Sequence, residues 1–200
     1  MKKIFSGAMA AFFAGTVFVL LVSCASTGGA GGEDAGVAGA WAWGSFTDAA
    51  NGGTSKIKMI EAVEQIDGEP LMIYSIDGEI TSQYQYGYVG WYAFPDDPTL
   101  ELLKTAKAFT FKVEGDGNAY DVMFCTADIS DAAYYRTTFT PRKDQVTTIT
   151  VKVGQLAQPA DWGVKKPFNQ DMATQIQFQT TNNGKPGIFK VKIYDLRIIQ

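Results

Sequence analysis

The sequence predicts a single all-β domain, a β-sandwich spanning residues 41–200, carried behind a secretory leader and a flexible tether. Three observations point there. Apolar residues recur with a period of two in nearly every stretch after residue 41, which is the signature of half-buried strands. Glycine- and asparagine-containing pairs punctuate those stretches at regular intervals, as in sandwiches and barrels. Only Pro98–Lys107 has a helical pattern, and it is short enough to be a connector.

Taken in order, the chain opens with Met1-Lys2-Lys3 and then runs apolar from Ile4 to Val22. Positive start, apolar middle and small-residue end make residues 1–23 a signal peptide. The run is nearly long enough to span a bilayer, but Leu21-Val22-Ser23-Cys24 at its end resembles the bacterial lipobox. That resemblance implies a diacylglyceryl group on the Cys24 sulfur and cleavage just before it. It also implies a cell-envelope location, on the periplasmic or cell-surface side, with the lipid bilayer as the first partner. Residues 24–40 follow as a tether: six of the sixteen residues from Ala25 to Ala40 are glycine, and Glu33 and Asp34 carry the only charges. With little to bury, such a segment behaves as a coil of ~20–25 Å mean span.

Within the domain, strands are expected around Lys56–Glu64, Leu71–Ile76 and Gln83–Phe94. Clear alternation then marks Phe109–Val113, Tyr120–Thr126, Thr148–Val153, Gln175–Gln179 and Phe189–Tyr194. Turns are expected at Asp67-Gly68, Asp77-Gly78, Gly115-Asp116-Gly117-Asn118 and Asn182-Asn183-Gly184, where glycine and asparagine tolerate the required dihedrals.

Composition removes several functions. Without Lys2 and Lys3 the formal charge moves from −4 to −6, and nucleic-acid binding needs basic clusters that are absent. There is no histidine, so Ser-His and Cys-His nucleophile pairs are excluded along with the commonest zinc ligand. Cys24 and Cys125 are the only cysteines; with Cys24 acylated, Cys125 is buried strand filler. Glu114, Asp116 and Asp121 read as turn and surface chemistry rather than as a paired-carboxylate glycosidase site. The chain is expected not to be an enzyme.

The order of motifs then resembles a family. Trp43-Gly44-Ser45-Phe46 leads, followed by the aromatic run with Tyr86, Tyr88, Trp91 and Tyr92, then Phe109–Val113 and Gly115-Asp116-Gly117 before Tyr120. Tyr134-Tyr135-Arg136, Phe139-Thr140-Pro141, Ile176-Gln177-Phe178-Gln179 and a closing Gly187–Ile198 strand complete it. This is similar to the CIA30 / family 11 carbohydrate-binding-module group, on a galactose-binding-like jelly roll. The resemblance implies a glucan-type chain held on the concave face of one sheet, with aromatic rings against pyranose faces and amides or arginine on hydroxyls. The candidates are Tyr86, Tyr88, Trp91, Tyr134, Arg136, Trp162, Gln177 and Gln179. Tyr86 and Tyr88 share a face that is either groove or core, and Trp91 points the opposite way unless a bulge intervenes. Trp162 lies in a long loop, residues 158–169, that could close one end of the groove. Tyr135, Phe139, Phe109 and Phe111 are expected in the core, with Trp41 and Trp43 over the open end. The fold also implies Asp195, with Asp48 as a second candidate, as oxygen ligands of a structural calcium ion. A protein partner, as in the assembly-factor branch of the group, is the alternative to a glycan.

Overall fold

The computed structural model describes residues 36–181 and 185–200. The leader, Cys24, most of the expected tether and the Asn182-Asn183-Gly184 turn lie outside the described residues. Eleven strands and one helix follow one another: β1 (Val37–Ala38), β2 (Trp41–Thr47), β3 (Lys56–Ile66), β4 (Glu69–Ile80), β5 (Val89–Pro95), α1 (Asp97–Lys104), β6 (Ala108–Gly115), β7 (Tyr120–Thr126), β8 (Tyr135–Phe139), β9 (Val146–Lys152), β10 (Ala173–Thr180) and β11 (Gly187–Ile199).

They build two antiparallel sheets. One has the order β3-β4-β11-β6-β9, with β1 also beside β11; the other has the order β2-β5-β10-β7-β8. Spatial neighbours such as β5, β10 and β7 are distant in sequence, so connections cross between the sheets, and the whole is a β-sandwich.

The period-two pattern decides what lies between the sheets. Trp91 and Ala93 of β5, Ile176 and Phe178 of β10, and Val122 and Phe124 of β7 point inward with no exposed surface. Phe109, Phe111, Val113, Val191 and Ile193 meet them from the other sheet. Trp91 stacks on Phe178 at 5.7 Å, and Phe111 meets Phe178 edge-on at 5.2 Å. Each such ring contributes on the order of 1.5–3 kcal/mol through burial. Phe109, Phe111 and Phe139 are buried as expected. Trp43 covers the open side, stacked on Tyr74 at 4.4 Å.

Three expectations are corrected. Gly36–Ala40 belong to the domain rather than to the tether: Val37 and Ala38 pair with Ile198 and Arg197, and the Ala40 amide donates to Thr99 Oγ1 at 2.9 Å. Asp77-Gly78 is no turn but the middle of β4. Gly78 is needed there because a Cβ would sit 2.0 Å from the Lys56 carbonyl oxygen and 2.8 Å from the Phe189 ring. The strand expected from Gln83 begins only at Val89; residues 81–88 form a compact loop closed by the Gly87 amide donating to the Tyr84 carbonyl at 3.0 Å. By contrast, Asp67-Gly68 does close the β3–β4 hairpin, both with positive φ (54° and 86°), as a two-residue hairpin turn requires. The helix is α1, capped by Asp96, whose carboxylate accepts from the Thr99 amide at 3.0 Å.

Candidate functional site

Because β5, β10 and β7 send every second residue into the core, the alternate residues must lie on the outer face of their sheet. The register aligns them into rows across all five strands. One row runs Gly44, Tyr92, Gln177, Met123, Arg136. The next runs Phe46, Gly90, Gln179, Asp121, Thr138. Five strands at ~4.8 Å spacing make this strip about 19 Å wide.

Two cross-strand pairs set an aromatic ring opposite a glycine. A Cβ on Gly44 would sit 2.3 Å from the Tyr92 hydroxyl oxygen, and one on Gly90 would sit 2.1 Å from Cζ of Phe46. Tyr92 and Phe46 therefore reach across the glycines, each half-buried. Phe94, 52% exposed, stands next to Tyr92 on the same face of β5.

Polar groups occupy the remaining strands. Gln175 Nε2 donates to Gln177 Oε1 at 3.3 Å, and Gln177 rests on Met123 and Cys125. Gln179 makes no side-chain hydrogen bond to the described residues. Arg136 donates to the Ala132 carbonyl at 2.9 Å and the Tyr134 carbonyl at 3.3 Å, and it pairs with Asp121 at 3.5 Å. Asp121 also accepts from Thr138 Oγ1 at 2.7 Å. The face therefore carries an internally neutralised ion pair and several amides, a donor–acceptor set suited to hydroxyls.

The 157–168 segment is held beside β8. Arg136 and Ala157 exchange two backbone hydrogen bonds, at 2.9 and 3.2 Å. Gln158 donates to the Ala133 carbonyl and accepts from the Lys166 amide, both at 2.8 Å. The Asp131 carboxylate accepts from the Val164 and Ala133 amides, which hold its pKa below the usual carboxylate value. Tyr135 caps the arrangement by donating to the Lys166 carbonyl. This brings the Trp162 ring to 5.2 Å from the Arg136 guanidinium carbon, a cation–π contact.

The expected site residues thus divide. Gln177, Gln179, Arg136 and Trp162 come together on one face, with Tyr134 on the face of Arg136 by alternation. Burial, with Cys125 and Asp131 nearby, raises the Tyr134 pKa, so its phenol stays protonated. Tyr88 sits in the 81–88 loop, 6.0 Å from Phe46 and accepting from Asn51 Nδ2 at 3.0 Å. Tyr86, 64% exposed, is further out, edge-on to Tyr84. Trp91 is corrected: it lies in the core between Tyr120 and Phe178, since no bulge interrupts β5, and it cannot line a groove. Tyr92, Phe94, Phe46, Gln175 and Asp121 were not expected at the site. Alternation from Trp91 signals Tyr92 and Phe94, whereas the glycine partners depend on register.

Cys125 also faces outward, yet it is buried beneath this layer, and its thiol is pushed up to about 12 by desolvation. Asp48 and Asp195 do not share a site. Buried Asp48 accepts from the Ser55 amide and hydroxyl, at 3.1 and 2.7 Å. Asp195, in a bulge of β11 with φ 54°, binds Arg197 at 2.6 Å and Lys112 at 3.6 Å. Ser55 precedes Lys56, which aligns through Glu79 with Ile188; Asp195 is seven residues further along β11, about 23 Å away. Glu114, opposite Lys192, lies on the outer face of the other sheet from Asp121, so those carboxylates form no catalytic pair. Cavities of about 290 and 180 Å³ lie elsewhere in the fold.

The family model for Complex I intermediate-associated protein 30 (CIA30) matches residues 36–193. The chain belongs to the CIA30 family. Its match begins at Gly36, where the described domain begins. Among solved structures, this CIA30 domain is similar to the family 11 carbohydrate-binding module of a cellulosomal cellulase of Clostridium thermocellum. That likeness has 18% identity and a TM-score of 0.53, over 87% of this chain and 96% of the module. It is also similar to a family 30 carbohydrate-binding module, with 13% identity and a TM-score of 0.50, over 73% of this chain and 90% of that one. At these identities the shared property is the fold, a galactose-binding-like jelly-roll sandwich. No curated protein matches the chain.

Proposed function

We propose that this CIA30-family chain is a lipoprotein, anchored through acylated Cys24 at the cell envelope, whose domain holds a neutral glucan-type chain without catalysing its conversion. The observation that carries the reading is the row Tyr92, Gln177, Arg136, with the half-buried Phe46 ring in the adjacent row. Aromatic rings at such a surface suit the apolar faces of pyranoses, and the adjacent amides suit their hydroxyls. The likeness in fold to carbohydrate-binding modules supports the same reading. An open strip fits a segment of polymer better than an enclosed small molecule. The Asp121–Arg136 pair leaves no net charge to select an acidic glycan.

The test is retardation of the protein in gels containing β-glucans. Wild type should be retarded, and Tyr92→Ala and Arg136→Ala should each weaken retardation about tenfold, as expected for losing ~1–2 kcal/mol. Unretarded wild type across soluble glucans would sink the reading. The family description names association with a Complex I intermediate, so a protein partner for the same face is then the reading to pursue, with Phe94, 52% exposed, as an apolar contact.

A further inference from the structure

The edge of the other sheet carries an independent feature. β3 ends that sheet, and among the described residues no strand pairs with its free side. It is eleven residues long, and its register with β4 runs unbroken from Lys56–Glu79 to Ile66–Glu69, without proline or bulge. Ile60 is 45% exposed and Val63 is 61% exposed, and Met72, opposite Val63 on β4, is 44% exposed. β11 pairs with β4 only from Ile73 onward, so the hairpin end that carries Val63 and Met72 stands beyond the third strand. A long, flat, apolar edge of this kind is a template for another strand. Lysines often block such an edge, but here Lys56 and Lys58 lie at one end and Glu64 at the other.

That polarity makes the strand complementary to itself when antiparallel. With a two-fold axis through Ile60, Lys56 faces Glu64 of a second copy, and Lys58 stands diagonal to that same Glu64. Ile57 faces Val63, Met59 faces Glu61, and Ile60 meets Ile60. No like charges are directly opposed, and opposite charges and apolar pairs each favour the ladder. We propose that β3 pairs antiparallel with β3 of a second copy of this chain, joining the two β3-edged sheets into one. A two-fold axis perpendicular to that sheet leaves equivalent faces on the same side. The two Tyr92–Arg136 strips then point the same way. That last consequence rests on the proposed glycan reading; the dimer itself does not.

The experiment uses full-length chains bearing two different tags, co-expressed and extracted in non-ionic detergent, with capture on one tag and detection of the other. Wild type should capture itself. Lys56→Glu/Lys58→Glu should lose self-capture at least tenfold, because acids then face Glu64. Glu64→Lys should lose it equally, because lysines then face Lys56 and Lys58. Co-expressing the two variants should restore capture, since each acidic edge now meets a basic one, and that recovery also shows that both variants fold. Wild type that fails to capture itself would overturn the dimer. So would variants that capture themselves as well as wild type, or a mixture no better than either variant alone.

Discussion

Tyr92 and Trp91 are adjacent residues with opposite surroundings, and the contrast between them is measurable. Trp91 has no exposed surface and packs on Phe178 and Tyr120, so Trp91→Ala should cost roughly 3–5 kcal/mol of stability. Tyr92→Ala removes one cross-strand partner, worth about 0.2–1 kcal/mol, and should leave the thermal transition nearly unchanged while glucan retardation falls. Gly44 carries the complementary test, because Gly44→Val would push against the Tyr92 ring where a Cβ has no room. Valine suits a strand, so the expected result is a folded domain with retardation as weak as that of Tyr92→Ala; normal retardation would show that the ring's position does not matter. Beneath the same layer, burial pushes the Cys125 thiol up to about 12 from 9.0. The sign follows from linkage: a raised folded pKa stabilises fully below pH 9 and loses its contribution as pH climbs from 9 towards 12. Cys125 should therefore resist thiol reagents at pH 8 until the domain unfolds, and Cys125→Ser should flatten the alkaline fall in stability. Rapid labelling of the native protein would contradict this.

At the scale of elements, alternation was legible wherever one face of a strand is core and the other is not. β6, β7, β9, β10 and β11 were all readable because Phe109 and Phe111, Val122 and Phe124, Val151, Ile176 and Phe178, and Val191 and Ile193 mark their inner faces in turn. The aromatic stretch before Val89 misled the reading, since Tyr84, Tyr86 and Tyr88 have the same spacing as strand residues yet form a loop packed ring edge to ring face. Gly78 misled it in the other direction: a glycine after an aspartate reads as a turn, but its lack of a Cβ admits the Lys56 carbonyl of β3 and the Phe189 ring of β11. The rows of the site were hidden because they depend on which residue of β2 meets which residue of β5, and on β10 lying between β5 and β7. Pairing between distant segments leaves no local trace. The 158–169 loop lies beside β8, with Trp162 against Arg136, and Asp131 is its clearest anchor. With its pKa lowered by the Val164 and Ala133 amides, Asp131 contributes stability that is fully present above its ordinary value near pH 4 and is lost as pH falls from there through its lowered folded value. Quenching of Trp162, already 43% exposed, should accordingly rise further in acid while the core transition persists. Asp131→Asn should show that stronger quenching already at pH 7; equal quenching of wild type and variant at pH 7 would remove Asp131 from this role.

For the whole molecule, the proposed lipoprotein reading makes charge and lipid separable contributions to location. Without residues 1–23, the expected leader, the sequence carries a formal charge of −6, two lower than the −4 of the full chain because Lys2 and Lys3 are left out. An acidic chain gains nothing from the anionic surface of a bilayer, where each basic residue would contribute about 1 kcal/mol. On the proposed lipoprotein reading, attachment would come from acyl chains, each buried CH₂ contributing about 0.8 kcal/mol, with one chain marginal and several firm. Screening and acyl burial respond differently to salt, because high ionic strength shortens the reach of charges to ~3 Å at 1 M and strengthens rather than weakens apolar burial. If Cys24 carries the lipid, a wash in 1 M salt should leave the protein on membranes, whereas Cys24→Ala should leave it unlabelled by an alkyne fatty acid. Because Cys125 is buried, it offers the acyl-transfer chemistry no second thiol on the folded domain. Wild type and Cys24→Ala that label equally would remove the acyl anchor, and wild type released by salt alone would place the protein on the membrane through a charged partner instead.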